Sequence, residues 1–256
     1  MSTITEGLQS IFTFPFKGQH WQDRFAVAAL FAFILVIPLV PLIFLLGYCG
    51  RVTRGVVAGN APVMPEWNEW GQLFTDGLRI LGVFLIYLLP GFVVMGIGFG
   101  SLIVSQVSLA AHMNPEDYSA FTSEFLQSMG GMWISYVGVF LAMATGVFVV
   151  PATAHMLAKN SFAAAFRFAE WWKVFRASLA GFLIADVLVM GGYMTLTWVI
   201  YFCVITVVLC CATPFVMAIG VAYFFLTLAA MFGKLYAEGV QKSVAASTQP
   251  QTGVVV

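Results

Sequence analysis

Long apolar runs alternate with short polar stretches along this chain. The runs fall at about residues 25–46, 78–107, 132–154, 177–199 and 204–232. Each is long enough to carry a helix across about 30 Å of hydrocarbon, which takes roughly 20 residues. Two polar intervals, 47–77 and 155–176, collect charge and tryptophan between the runs. The pattern predicts an all-α fold, a polytopic membrane helix bundle of about five spans with two amphipathic interfacial elbows. A single integral membrane domain over residues 1–242 is expected. A Ser/Thr/Gln-rich tail, 243–256, is expected to be disordered.

Within the first elbow, Gly59-Asn60-Ala61-Pro62 reads as a stop and turn. Pro65 suits the first position of a new helix, with Glu66 in its first turn. Trp67, Trp70 and Phe74 then share one face at i, i+3 and i+7. Residues 110–131 read as a polar loop with acids and no Lys or Arg. From Ala177 to Phe232 the chain is apolar for 56 residues with one charge, Asp186. Two spans fit there, with the turn at Trp198–Cys203 or at Gly191-Gly192. Prolines 38, 41, 90, 151 and 214 are expected to break four of the five spans. Gly96 and Gly100 form a small-xxx-small pair that lets another helix approach.

Composition agrees with the pattern. The chain is 61% hydrophobic and 9% charged, against about 45–50% and about 25% in soluble domains. Its formal net charge is zero, so no basic surplus points to nucleic acid. The four cysteines show no CxxC spacing, and the three histidines show no metal-ligand spacing. No metal or cofactor is expected. Nine of the 11 basic residues fall on one side of a five-span topology, leaving Lys17 and Arg24 opposite. The positive-inside rule then puts the C-terminus in the cytoplasm. Lys17 and Arg24 oppose that topology, and a first segment that dips in and returns would put both ends inside.

The elbows resemble each other at an offset of about 100 residues. Asn60 and Asn160 each follow an emerging helix end, Glu69-Trp70 matches Glu170-Trp171, and Leu73-Phe74 matches Val174-Phe175. This reads as a parallel repeat, although shared interface residues alone would give a similar picture.

Several stretches carry a resemblance to a family. They are Gly47-Tyr48, Arg51, Arg54, Gly59, Met64-Pro65-Glu66-Trp67, Glu69-Trp70-Gly71, Leu73-Phe74, Asp76-Gly77-Leu78 and Tyr87-Leu88-Leu89-Pro90. They resemble the prokaryotic membrane proteins grouped as domain of unknown function 4013. Leu235-Tyr236-Ala237-Glu238-Gly239 resembles the family's closing pattern. The chain departs from that pattern at Met64 and at Asn68, where the family has Leu and Asp. The resemblance implies a multi-pass bundle in the cytoplasmic membrane of a bacterium or archaeon, and no established activity.

Candidate sites follow from polar residues in apolar surroundings. Asp186 lies inside a span, where an acid costs about 2.5–3.5 kcal/mol and faces the bundle or a wet cavity. Arg79, His155 and Gln106 are its candidate partners. His155 at a span end is a candidate tetrapyrrole or metal ligand, with an interfacial histidine bonded to backbone as the plainer reading. Arg51, Arg54, Trp67, Trp70, Arg167, Trp171 and Trp172 are candidate contacts to lipid headgroups, with ordinary anchoring as the plainer reading. No nucleophile–base pair or phosphate loop points to an enzyme. The expected function is a structural, assembly or lipid-organising component of the membrane. Its expected partners are lipids, other membrane proteins or a second copy. The alternative is a small transporter or channel using Asp186 and broken helices.

Overall fold

A computed structural model describes residues 10–17, 20–33, 39–111, 118–206 and 212–248. Its elements are α1 (Trp21–Phe33), α2 (Leu39–Val57), α3 (Trp70–Ala111), α4 (Tyr118–Lys159), α5 (Phe168–Ala177), α6 (Leu179–Ile205) and α7 (Thr213–Thr248). Single 3-10 turns occupy Phe14–Phe16 and Phe162–Phe166. Among the described residues no strand occurs. Five of the helices, α2, α3, α4, α6 and α7, are long and apolar enough to cross a membrane.

Several boundaries differ from those the sequence predicts. The apolar run 25–46 divides between α1 and α2, and α2 continues to Val57. Most of the expected polar loop 110–131 is helix, because α4 begins at Tyr118. Helices α3 and α4 have 42 residues each, which at 1.5 Å per residue is about twice the hydrocarbon thickness. Helix α6 is unbroken through Gly191-Gly192 and Trp198–Cys203, so neither predicted turn occurs, and α7 begins at Thr213. Helix α7 runs to Thr248, past the expected start of the tail.

The prolines break less than expected. Pro41 and Pro214 lie in the first turns of α2 and α7, where their missing N–H groups have no helical partner to lose. Pro90 and Pro151 lie inside continuous α3 and α4. Pro38, His112, Cys210, Cys211 and residues 249–256 lie outside the described residues.

The chain divides into two compact units, residues 83–149 and residues 1–82 with 150–256. The first of these is an antiparallel pair formed by parts of α3 and α4. Gly91 abuts Ala142, Gly98 abuts Ser135, Met95 abuts Gly138 and Leu102 abuts Gly131. A side chain at any of these glycines would meet the opposite helix, so the pair closes on backbone. Gly96 and Gly100, the predicted approach pair, face open space instead.

The other unit has its core between α1, α2 and α7. Leu45, Tyr48, Val52, Ala222, Leu226 and Ala230 are buried there with Phe14 and Ala28. Helix α6 seats antiparallel on α7 through glycines, with Gly181 against Leu235, Gly192 against Phe224 and Gly220 against Leu196. Phe182, Ala185 and Cys203 are also buried, and another face of α6 is bare: Ile184 is 63% exposed, Val187 72% and Trp198 70%. In water such a surface would aggregate, whereas beside lipid it is a normal outer face.

Both elbows lie at one end of this unit. Leu157, near the C-terminal end of α4, lies close to Gly50 of α2. Val57 of α2 and Val240 of α7 pack on Ala154, Val174 and Tyr236. The C-terminal ends of α2 and α4 therefore sit side by side.

Candidate functional site

The polar atoms of the large unit concentrate in these two elbows. Helix α2 ends in a Schellman-type cap, in which the Gly59 N–H donates to Val56 O and the Asn60 N–H to Gly55 O. Gly59 takes φ +88 there, a left-handed conformation that glycine adopts without Cβ strain. From Gly59 to Glu69 the chain is irregular, and the predicted helix at Pro65 does not form. Glu69 takes φ +53 and caps α3, with its carbonyl accepting from the Gln72 and Leu73 N–H groups.

An irregular segment leaves carbonyls without intrahelical donors, and they must be satisfied otherwise. Here two guanidiniums and a phenol supply the donors. Arg24 Nη1 donates to Met64 O at 2.6 Å, and its Nη2 lies 3.3 Å from a Glu66 carboxylate oxygen. The Tyr48 hydroxyl donates to Pro65 O at 2.8 Å. Arg51 Nη1 donates to Glu66 O and Asn68 O, each at 3.2 Å, and to Asn68 Oδ1 at 2.6 Å. Its Nη2 pairs with Glu69 at 3.2 Å. Trp67 lies between Tyr48 and Phe31, stacked on both, and its indole N–H donates to Arg24 O. Below this clasp the buried Asp76 takes Arg54 at 2.9 Å and Arg79 at 3.7 Å.

Arg24 therefore holds the same elbow as Arg51 and does not lie at the opposite end. Helices α1 and α2 present their Arg24 and Arg51 ends together.

The second elbow closes by different chemistry. Helix α4 ends in the same kind of cap, with Asn160 at φ +48 and the Ser161 N–H donating to Met156 O. His155 is buried and bonds side chains, not backbone. Its Nδ1 lies 2.6 Å from the Tyr236 hydroxyl and its Nε2 3.1 Å from Glu170 Oε2. The imidazole thus links α4, α5 and α7. Arg167 lies 3.4 Å from the other Glu170 oxygen. The hydrogen bond from His155, more than the charge of Arg167, holds the Glu170 carboxyl below the usual carboxylate range. Trp171 is fully buried and donates its N–H to Ala165 O at 3.0 Å.

Within the larger unit the candidate partners of Asp186 are engaged elsewhere. His155 belongs to the second clasp and Arg79 to Asp76. Asp186 is partly exposed on α6 and, among the described residues, has no hydrogen-bond or ion-pair partner. Gln106 is exposed on α3 in the smaller unit. Among the described residues no three of His, Cys, Asp and Glu lie together as a metal site requires. Of the expected headgroup contacts, Arg51, Arg54, Trp67 and Trp171 are engaged inside the protein. Trp70 and Arg167 are exposed, and Trp172 is half-buried.

Sequence reasoning missed Arg24, Tyr48, Asp76, Glu170 and Tyr236 as members of these clasps. All but Arg24 did stand in motifs: Tyr48 and Asp76 in the family stretches, Glu170 in the repeat and Tyr236 in the closing Leu235–Gly239 pattern. Asn68 shows how its departure is accommodated, since its amide oxygen accepts from Arg51 where a carboxylate would.

The family described as protein of unknown function (DUF4013) matches residues 30–212. The chain belongs to this family. No curated protein and no solved structure matches it. The DUF4013 match takes in both elbows and both caps. Arg24 and Tyr236, which close the two clasps from α1 and α7, lie outside it.

Proposed function

We propose that this chain is a non-catalytic component of a prokaryotic cytoplasmic membrane, with its C-terminus in the cytoplasm. On this reading it assembles with other membrane proteins or with a second copy of itself and organises lipid around the assembly. The observation that carries this is Asp186, partly exposed on α6 and, among the described residues, without a hydrogen-bond or ion-pair partner. A carboxylate without an internal partner on a lipid-facing helix is costly. A donor brought by a neighbouring helix offsets that cost, and α6 leaves room for one. The exposed Gly96 and Gly100 offer a further close-approach surface. The clasped elbows support the same reading, because they make the ends of the large unit a fixed platform.

The test is native mass spectrometry of the full chain in the mildest detergent that keeps it dispersed. A second copy or another membrane protein should be retained, and Asp186→Leu should release it. The unpartnered Asp186 also favours one other reading, a small transporter. Liposomes holding the wild type and Asp186→Asn decide between them. A solute or proton flux lost in the variant, from a chain that stays monomeric, would replace assembly with transport.

A further inference from the structure

The two elbows carry similar numbers of basic residues and differ in what those residues face. At the first elbow every guanidinium has an acid: Arg24 pairs with Glu66, Arg51 with Glu69, and Arg54 and Arg79 with Asp76. That surface is neutralised from within. The second elbow has Lys159, Arg167, Lys173 and Arg176 against one acid, Glu170. Glu170 already serves His155 and Arg167. Lys159, Lys173 and Arg176 are exposed, and among the described residues they form no ion pair or hydrogen bond.

Helix α5 sorts its residues into three faces. Trp171, Val174 and Phe175 are buried against the protein. Phe168, half exposed, stacks on Trp172 with ring centroids 5.0 Å apart, and the pair forms an aromatic face. Lys173 and Arg176 form the next face. Phe162 and Phe166 are exposed in the turn just before the helix. Exposed aromatic rings beside unpaired cations, at the level where α2 and α4 end, suit the boundary between hydrocarbon and headgroups.

We infer that the second elbow, and not the first, is a docking surface for anionic phospholipid headgroups. Lys159, Lys173 and Arg176 take the phosphates, and Phe168 and Trp172 lie among the upper acyl chains. The inference rests on the proposed membrane setting and assigns one of the lipid contacts left general there.

The experiment reads Trp172 fluorescence in vesicles of phosphatidylcholine. A minor fraction of the lipid is brominated, either phosphatidylglycerol or phosphatidylcholine. The Trp172 component is the difference between wild type and Trp172→Phe. Wild type should be quenched more by the brominated anionic lipid than by the zwitterionic one, and added salt should shrink the difference. Each lost charge should weaken the preference about fivefold. Lys173→Gln should therefore show a partial loss, Lys173→Arg should match wild type, and the triple Lys159→Gln/Lys173→Gln/Arg176→Gln should show no preference. Among the described residues these side chains form no hydrogen bond or ion pair, so the triple variant should keep the wild-type thermal transition. Equal quenching by both lipids in wild type, or a preference that survives in the triple variant, overturns the inference. Loss of the lipid preference with assembly intact rejects this inference alone, and loss of assembly with the preference intact rejects only the proposed function.

Discussion

Gly47 and Gly77 make a reciprocal backbone contact between α2 and α3, and that contact sets a sharp expectation. A Cβ on Gly47 would strike the carbonyl oxygen of Leu73, and a Cβ on Gly77 would strike the carbonyl oxygen of Ile43. In both cases the obstacle is main chain inside a helix, so no rotamer change relieves it. Overpacking a core typically costs about 1–3 kcal/mol, and a rigid obstacle puts these sites toward the upper figure. Gly55 lies in the same helix as Gly47 with open space where its Cβ would go. Gly55→Ala removes only glycine's backbone entropy and should stabilise by about 0.5–1 kcal/mol. The two alanine variants of α2 should therefore differ by about 3 kcal/mol, with opposite signs against wild type. Reversible unfolding in mixed micelles, followed by tryptophan fluorescence, measures the difference. Gly77→Ala should behave as Gly47→Ala does. If Gly47→Ala and Gly55→Ala unfold alike, the α2–α3 contact described above is wrong.

Arg51→Lys keeps the charge and loses the fork that reaches Glu66, Asn68 and Glu69 together. It should destabilise by about 1–3 kcal/mol and open residues 59–69 to limited proteolysis, while a cleavage rate equal to wild type would remove Arg51 as the clasp. Glu170, whose carboxyl is held below its usual range by His155, contributes stability that is present above the unfolded-state value. That contribution is lost as pH falls through the folded value. Hydrogen-exchange protection of residues 162–177, taken relative to the intrinsic rate at each pH, should therefore fall on acidification in wild type, and Glu170→Gln should be less protected with a flatter pH profile. Gly59→Ala places a Cβ at φ +88 and should cost about 1–2 kcal/mol, whereas Asn160→Gly should be neutral or slightly stabilising by thermal shift.

Four spans were legible because hydrocarbon demands an apolar run, and α3, α4, α6 and α7 each contain one, whereas the run 25–46 divides between α1 and α2. The helix ends were not, because polarity marks where the bilayer stops and not where the helix stops. Residues 118–131 show this, being polar in sequence and helical in the structure. The first elbow misled for another reason. The spacing of Trp67, Trp70 and Phe74 fits a helix, but Glu69 at φ +53 interrupts it. Bonds from Arg24 and Arg51 outweigh local preference there. Those bonds join residues up to 42 apart in sequence, a distance no periodicity reports. The second elbow was legible as a helix because its buried face repeats within ten residues. Its lock to Tyr236 spans 81 residues and left only the closing pattern as a trace.

The caps bear on the repeat more directly than the tryptophans do. Gly59 and Asn160 occupy the same position in the same hydrogen-bonding pattern, 101 residues apart, and the offset from Glu69 to Glu170 is also 101. The sequence match of Asn60 with Asn160 is one residue out of this register. In each elbow the glutamate is tied back to the helix that enters it, by Arg51 in one case and His155 in the other. The donor has changed while the tie has stayed. Shared interfacial composition would account for a Glu-Trp pair in both places, but it would not place a left-handed cap ten residues before each. The helix cap and the glutamate ten residues after it are therefore what repeats, while the path between them is irregular in the first elbow and a 3-10 turn in the second. The chemistry that fastens the glutamate differs, with Arg51 neutralising it in the first elbow and a histidine and Arg167 sharing it in the second.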